Sequence, residues 1–237
     1  MSLAVIVTRT QPGADETAAF LAQLDYRPIV SPMLQIVETG LPPSALEGVT
    51  DIILTSANGA RAFALSGNSP TAFTAWCVGP STAAAAREAG FGRIVEGDGD
   101  AEDLARLILV ARAELSGPLL HIANDAAAGN LVATLKAAGL DARFAAAYTT
   151  LPAACLSPQA LAALGQGPAA VLIHSAKGAD ALARSGPALE RAAIVAISSS
   201  AAAPLEALPR AGLWIADRPN ETALMKALET AAAALQP

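Results

Sequence analysis

Four short turns gather the residues of this chain best suited to chemistry: Ser56-Ala57-Asn58-Gly59, Gly79-Pro80-Ser81-Thr82, Ser175-Ala176-Lys177-Gly178 and Ser198-Ser199-Ser200. Each directly follows an apolar run, so each reads as the joint between a buried strand and the first turn of a helix. Such a joint aims unpaired backbone N–H groups and the positive end of the helix dipole at whatever lies in front of it, which favours anions. Small side chains let the backbone come close to a ligand, and serine and threonine hydroxyls add donors. Arg9, after the first apolar run, and Lys177, inside the third turn, supply charge-assisted hydrogen bonds. The chemistry these residues suit is the holding of an anionic small molecule. Plainer readings stand beside it. Ser56 and Ser175 are also good helix caps, Gly59 and Gly178 also ease a turn, and Arg9 also reads as a surface charge. Its place at the C-terminal end of a first parallel strand is nevertheless where open α/β sheets bind ligands.

Other chemistries are poorly supplied. The net charge of −6 argues against a general nucleic-acid binder, and the scarcity of aromatic residues argues against binding by rows of stacked rings. His121 and His174 are the only histidines, each at the end of an apolar run, and they read as structural or supporting residues. No HExxH, Cys/His cluster or repeated carboxylate motif offers a metal site. Gly97-Asp98-Gly99-Asp100 lacks the twelve-residue loop and closing glutamate of a calcium site and reads as a turn. A Gly-x-Ser-x-Gly elbow, a Walker loop and a GxGxxG fingerprint are all missing. Cys77 and Cys155 are far apart and read as reduced thiols. The start, Met1-Ser2-Leu3-Ala4-Val5-Ile6-Val7, reads as a first strand and not as a targeting segment, and no membrane span is expected. These features describe a soluble cytoplasmic protein.

The elements that position the turns come twice. Ser56-Ala57-Asn58-Gly59-Ala60 behind Ile52-Ile53-Leu54-Thr55 reappears as Ser175-Ala176-Lys177-Gly178-Ala179 behind Val171-Leu172-Ile173-His174, an offset of 119 (175 − 56). The same offset lays Val78-Gly79-Pro80-Ser81-Thr82 onto Ile197-Ser198-Ser199-Ser200-Ala201. Apolar runs at 3–8, 28–37, 51–55, 75–78, 93–95, 118–122, 142–148, 169–173, 193–197 and 213–216 read as strands. Between them 14–24, 82–89, 101–115, 127–138, 158–164 and 221–235 read as helices. Short apolar runs without alternation fit parallel strands covered on both faces, and their alternation with helices gives right-handed βαβ units. The fold class is therefore α/β, with two flavodoxin-like parallel-sheet lobes from an internal duplication. Pro28–Val37, with a proline in its middle, and Ala145–Pro152 read as strands that cross between lobes, a two-stranded linker. One lobe then runs over 37–147, and the other combines 1–36 with 148–237. A cleft between two such lobes is the expected place for a small molecule.

In this order and spacing, Val7-Thr8-Arg9, Thr55-Ser56-Ala57-Asn58-Gly59, Val78-Gly79-Pro80-Ser81-Thr82, Leu131…Leu135-Lys136-Ala137-Ala138-Gly139 with Tyr148, and Arg218-Pro219-Asn220-Glu221 resemble uroporphyrinogen-III synthase over the whole chain. The resemblance implies a cofactor-free cyclase acting on hydroxymethylbilane, a flexible linear tetrapyrrole with eight carboxylates. Hydroxide leaves as water, the last pyrrole inverts through a spiro intermediate, and the ring closes. The protein must fold its substrate into a near-attack conformer and suppress closure without inversion. Carried onto this chain, the resemblance implies substrate binding by Thr8, Arg9, Ser56, Ala57, Asn58, Gly79, Ser81, Thr82, Ser175, Ala176, Lys177, Ser199 and Ser200. It implies that Tyr148 assists the departing hydroxyl; the other reading of Tyr148 is a linker residue with its hydroxyl in water. A phenol is a weak acid at neutral pH, so the dependence on it should be modest. No metal or organic cofactor is implied; the protein would be a monomer, with a transient contact to hydroxymethylbilane synthase. Two departures stand out. Ser198-Ser199-Ser200-Ala201 replaces a Gly-x-Thr-Thr-like turn, and Asp25 replaces a helix-ending glycine. The alternatives are a non-catalytic two-lobed binding protein for a small anionic metabolite, which if exported would need a signal peptide, and an inactive relative kept for protein contacts.

Overall fold

The structure, a computed structural model, describes residues 2–125 and 130–235. From the N-terminus come β1 (Ala4–Val7), α1 (Gly13–Gln23), β2 (Arg27–Val30) and β3 (Leu34–Glu38). The chain continues through β4 (Asp51–Leu54), α2 (Ala57–Leu65), β5 (Thr74–Cys77), α3 (Pro80–Glu88), β6 (Arg93–Glu96) and α4 (Ala101–Val110). Then follow β7 (Leu119–Asn124), α5 (Asn130–Ala137), β8 (Ala142–Pro152), α6 (Pro158–Gln166) and β9 (Ala169–Ile173). The last elements are α7 (Ala176–Ser185), β10 (Ala192–Ala196), α8 (Ser199–Ala202), β11 (Gly212–Ile215) and α9 (Glu221–Leu235). The helix expected over 127–138 is described from Asn130; its first three positions lie outside the described residues.

Two compact units result, one of residues 1–36 with 151–237 and one of 37–150. The first holds the parallel sheet β11-β10-β9-β1-β2, in chain order the flavodoxin arrangement 2-1-3-4-5. Its three central strands, β1, β9 and β10, are buried on both faces, so alternate residues feed different cores. Ile6, Val171 and Ile194 pack with Leu164, Leu182 and Leu205, whereas Val5, Leu172 and Val195 pack with Leu21, Leu224 and Leu228. The second unit places β8-β7-β4-β5-β6 in the same spatial order. Counted from β4, that order reads 3-2-1-4-5, so the duplicated unit is the same sheet entered at a different strand. Ile53, Trp76, Leu104, Ile108 and Leu135 form a core on one of its faces. The reading of two parallel α/β sheets from an internal repeat therefore holds.

The chain crosses from unit to unit within β3 and within β8, which are neighbours at the edge of the second sheet. Thr39 N donates to Ala147 O and Ala153 N to Met33 O. Two expectations need correction. The run 28–37 is two strands, because β2 belongs to one sheet and β3 to the other, and the chain turns between them at Ser31-Pro32-Met33. The helix expected over 101–115 ends at Val110 and gives way to a tight 3₁₀ turn at Arg112–Glu114. The helix opened by Ser198 spans four residues against nine in α3. Pro204 follows it and has no N–H with which to continue the ladder. Asp25 adopts φ 60°, the left-handed backbone that its glycine-like place required.

Candidate functional site

In the second unit, β4 delivers the chain to Ser56, whose extended backbone and hydroxyl cap α2 by accepting from Gly59 N at 3.3 Å. Ala57 and Asn58 are the first two helical residues, so their amides have no partner four positions back; the Asn58 side-chain oxygen accepts from Arg61 Nη1 at 3.2 Å. Tyr148 lies on β8 opposite Asn124. Its hydroxyl stands 2.7 Å from Ser56 Oγ. The phenol is therefore buried and held by Ser56, where one reading of the sequence left its hydroxyl in water. Since Ser56 Oγ already accepts an amide, its own proton can go to the phenol oxygen, which leaves the phenol O–H to serve another acceptor.

Gly79 caps α3 with extended backbone. A Cβ there would stand 3.3 Å from Gly99 Cα, so the close approach that this glycine permits is to the protein's own Gly97–Gly99 loop. Ser81 is exposed and Thr82 buried. Asp100, from the calcium-like stretch, caps α4 by accepting from Glu102 N and Asp103 N, both at 2.8 Å. His121, on β7, is buried, contacts Thr55 Oγ1 through Nε2 at 2.9 Å and lies edge-on to Phe144. Burial pushes its pKa down to about 4, so the ring is neutral near pH 7.

In the first unit, Ser175 caps α7 by accepting from Gly178 N at 3.1 Å, and Ser175, Ala176 and Lys177 all reach the surface. Ser198 caps α8 and contacts Ser200 Oγ at 2.9 Å, with Ser199 and Ser200 exposed. Ala201 is buried in the core, so that position in this chain packs instead of presenting a hydroxyl. Thr8 is buried and donates to Leu172 O at 2.6 Å, tying the end of β1 to β9. Arg9 Nη1 reaches Thr17 Oγ1 at 3.2 Å and Glu221 Oε2 at 3.4 Å. Thr17 donates to Glu221 Oε1 at 3.0 Å, and His174 Nε2 stands 3.3 Å from Glu221 Oε2. Burial disfavours the Glu221 charge, but His174, Thr17 and Arg9 together outweigh it and hold its carboxyl below the usual range.

The joints therefore fall at the carboxyl ends of the strands. In each sheet, the connections leave in opposite directions at one place, between β1 and β9 or between β4 and β7, which is where open α/β sheets bind ligands. Arg9 and Ser175 flank the first such point. Ser56 stands at the second, joined to Tyr148. Sequence reasoning missed Thr17 and gave no role to Glu221, which it named only as the last residue of the Arg218–Glu221 stretch; both meet Arg9 only through tertiary structure. In that stretch Asn220 caps α9 by accepting from Ala223 N at 2.9 Å. Among the described residues, no group of three or more His, Cys, Asp or Glu could hold a metal ion, and no helix is long and apolar enough to cross a membrane.

Comparison with known proteins agrees with this fold. Uroporphyrinogen-III synthetase from Helicobacter pylori 26695 is similar at TM-score 0.67 and 17% identity, over 97% of this chain and 99% of that one. A mutant uroporphyrinogen III synthase from the extremely thermophilic bacterium Thermus thermophilus gives 0.51 and 17%, over 99% of both chains. At such identities these likenesses speak for the fold. No curated protein gives a significant sequence match. The family model described as uroporphyrinogen-III synthase HemD matches residues 15–226, nearly the whole sequence. The chain therefore belongs to the uroporphyrinogen-III synthase family, cyclising lyases that turn hydroxymethylbilane into uroporphyrinogen III in haem biosynthesis.

Proposed function

We propose that the substrate's carboxylates are taken by the joints Ser56–Gly59, Gly79–Thr82, Ser175–Gly178 and Ser198–Ser200 together with Arg9 and Lys177. Tyr148, held by Ser56, then gives a proton to the departing hydroxyl. The observation that carries this reading is the 2.7 Å contact between the two hydroxyls at the start of α2. It supports the reading because it holds a phenol hydroxyl at the start of α2, beside the kind of switch point where open α/β sheets bind ligands. Pyrrole nitrogen supplies the electron pair that expels hydroxide, so the protein need only protonate it. The proton is recovered when the last ring carbon loses its own after the new C–C bond forms. The buried threonines serve through position, Thr8 by tying β1 to β9 and Thr82 within the first turn of α3. Backbone donors explain how a chain of net charge −6 accepts a polyanion: local fields at helix ends outweigh a distant, screened surface charge. The enzyme acts as a monomer in the cytoplasm, and a brief contact with hydroxymethylbilane synthase limits the time its unstable substrate spends free.

An isomer assay tests the reading. Freshly generated hydroxymethylbilane is incubated with the purified protein and oxidised, and the porphyrin isomers are separated. Uncatalysed closure yields type I, so a protein-dependent excess of type III is expected. Type I alone from folded protein would leave an anion-binding protein without this activity. In the same assay Tyr148→Phe should lower turnover about tenfold, less than the roughly 10²–10⁴-fold of a sole general acid, with the isomer ratio unchanged. Complete loss in a folded Tyr148→Phe variant would overturn the shared, backbone-dominated mechanism.

A further inference from the structure

Arg9 is held more closely than a surface arginine needs to be. Its Nη1 donates to both Thr17 and Glu221, and Thr17 closes the ring by donating to the same carboxylate. His174, its side chain only 10% exposed, braces Glu221 from the end of β9. These partners use one nitrogen of the guanidinium; among the described residues Nε and Nη2 have no acceptor. The flat side of the group rests on Gly13. A Cβ at Gly13 would stand 2.7 Å from Nε, 2.8 Å from Cζ and 2.8 Å from Nη2, and such nearly equal distances place it over the face of the plane. A glycine beneath the plane and a carboxylate at one nitrogen fix the aim of the remaining edge. That edge has the two parallel N–H groups that match a carboxylate.

We infer that Gly13 and Glu221 are positioning residues that present the Nε–Nη2 edge of Arg9 to one carboxylate of the substrate as a two-point clamp, an inference that rests on the synthase reading above. The rival role for Glu221, neutralising Arg9, predicts the opposite sign, because removing it would strengthen anion binding.

Kinetics of type III formation separate the two. Gly13→Ala needs no unusual backbone, and the three nearest atoms its Cβ would meet all belong to the Arg9 side-chain end and not to backbone, so the variant should fold with a thermal midpoint close to that of the wild type. Its KM should rise about tenfold, the scale of one charged hydrogen bond, with kcat within about twofold. Glu221→Gln should raise KM in the same way. In an Arg9→Met background Gly13→Ala should add nothing, whereas Gly165→Ala, whose Cβ meets nothing within 4 Å, should leave the wild type unaltered. An unchanged KM for Gly13→Ala, an equal effect with and without Arg9, or a lower KM for Glu221→Gln would each overturn the clamp. Should Glu221→Gln not fold, Gly13→Ala and its double variant decide alone. A wild type that makes no type III fails the synthase reading itself and takes the clamp with it; type III from the wild type with an indifferent Gly13→Ala fails the clamp only.

Discussion

His121 is a base enclosed on the strand beside the Ser56 joint. Thr55 takes Nε2, Phe144 closes on the ring, and Nδ1 is buried without a hydrogen-bond partner among the described residues. Desolvation penalises the charged ring, so its pKa falls from 6.5 to about 4 on folding. The unfolded chain therefore binds a proton between those values that the folded chain refuses. Stability from this residue is complete above about pH 6.5 and declines as pH drops towards about 4, below which both states are protonated and the loss levels off. The loss between pH 7 and pH 4.5 should be about 2–3 kcal/mol. His121→Gln keeps a polar partner for Thr55 but cannot titrate. Urea unfolding at the two pH values should show a smaller pH effect in the variant than in the wild type by roughly that amount. Equal pH effects would mean that the folded protein accommodates the imidazolium. The neutral ring also keeps a positive charge off β7, in keeping with the proposal that backbone amides and hydroxyls take the anion in this unit.

The two copies of the strand–turn–helix element share sequence but differ in packing. Gly59 and Gly178 occupy the same place in α2 and α7. A Cβ on Gly59 would stand 2.7 Å from the backbone carbonyl oxygen of Ile122, while a Cβ on Gly178 would first meet Ser175 Oγ at 3.2 Å. Gly59→Ala must move α2 off β7 and should cost about 1–3 kcal/mol. Gly178→Ala needs only a small hydroxyl shift and gains helix propensity, so its effect should lie within about 0.5 kcal/mol of zero. Urea midpoints measure both, and comparable costs would show that α2 can shift without penalty. Because α2 carries Ser56, Gly59→Ala should also slow turnover. The 119-residue repeat showed these elements because a buried run before a Ser/Gly joint is a local pattern. It could not show which helix presses on its sheet, since that depends on a neighbouring strand far away in sequence, β7 in one unit and β1 in the other. The break at Ser31–Met33 was hidden for a related reason: one apolar run served two sheets, and Pro32 alone did not decide which. Arg9, Ser56 and Tyr148 were legible as donors, but Glu221, 212 positions from Arg9, shared no periodicity with it.

At the scale of the whole molecule, duplication has produced two units that differ in chemistry. One places Ser56 beside a phenol; in the other, Leu34 Cδ1 lies 4.0 Å from where a Cβ on Gly178 would stand, and the cation Arg9 is fixed by Glu221. Each unit has its own sheet and its own buried core, so each meets the requirement for folding alone. The second unit is contiguous over 37–150. The first is interrupted, yet its loose ends are neighbours, because Met33 and Ala153 are hydrogen-bonded to each other. An Asn-Gly turn between residues 36 and 151 is the natural closure for such a pair. Residues 37–150, and 1–36 joined in this way to 151–237, should each give α/β circular dichroism and one cooperative thermal transition. Neither alone should yield type III uroporphyrinogen, because the proposed donors are divided between them: Tyr148 and Ser56 on one, Arg9, Ser175 and Lys177 on the other. A unit that fails to fold would mean that the crossing strands hold a shared core. A single folded unit that yields type III would place all the necessary donors on one sheet and strip the duplication of its role in catalysis.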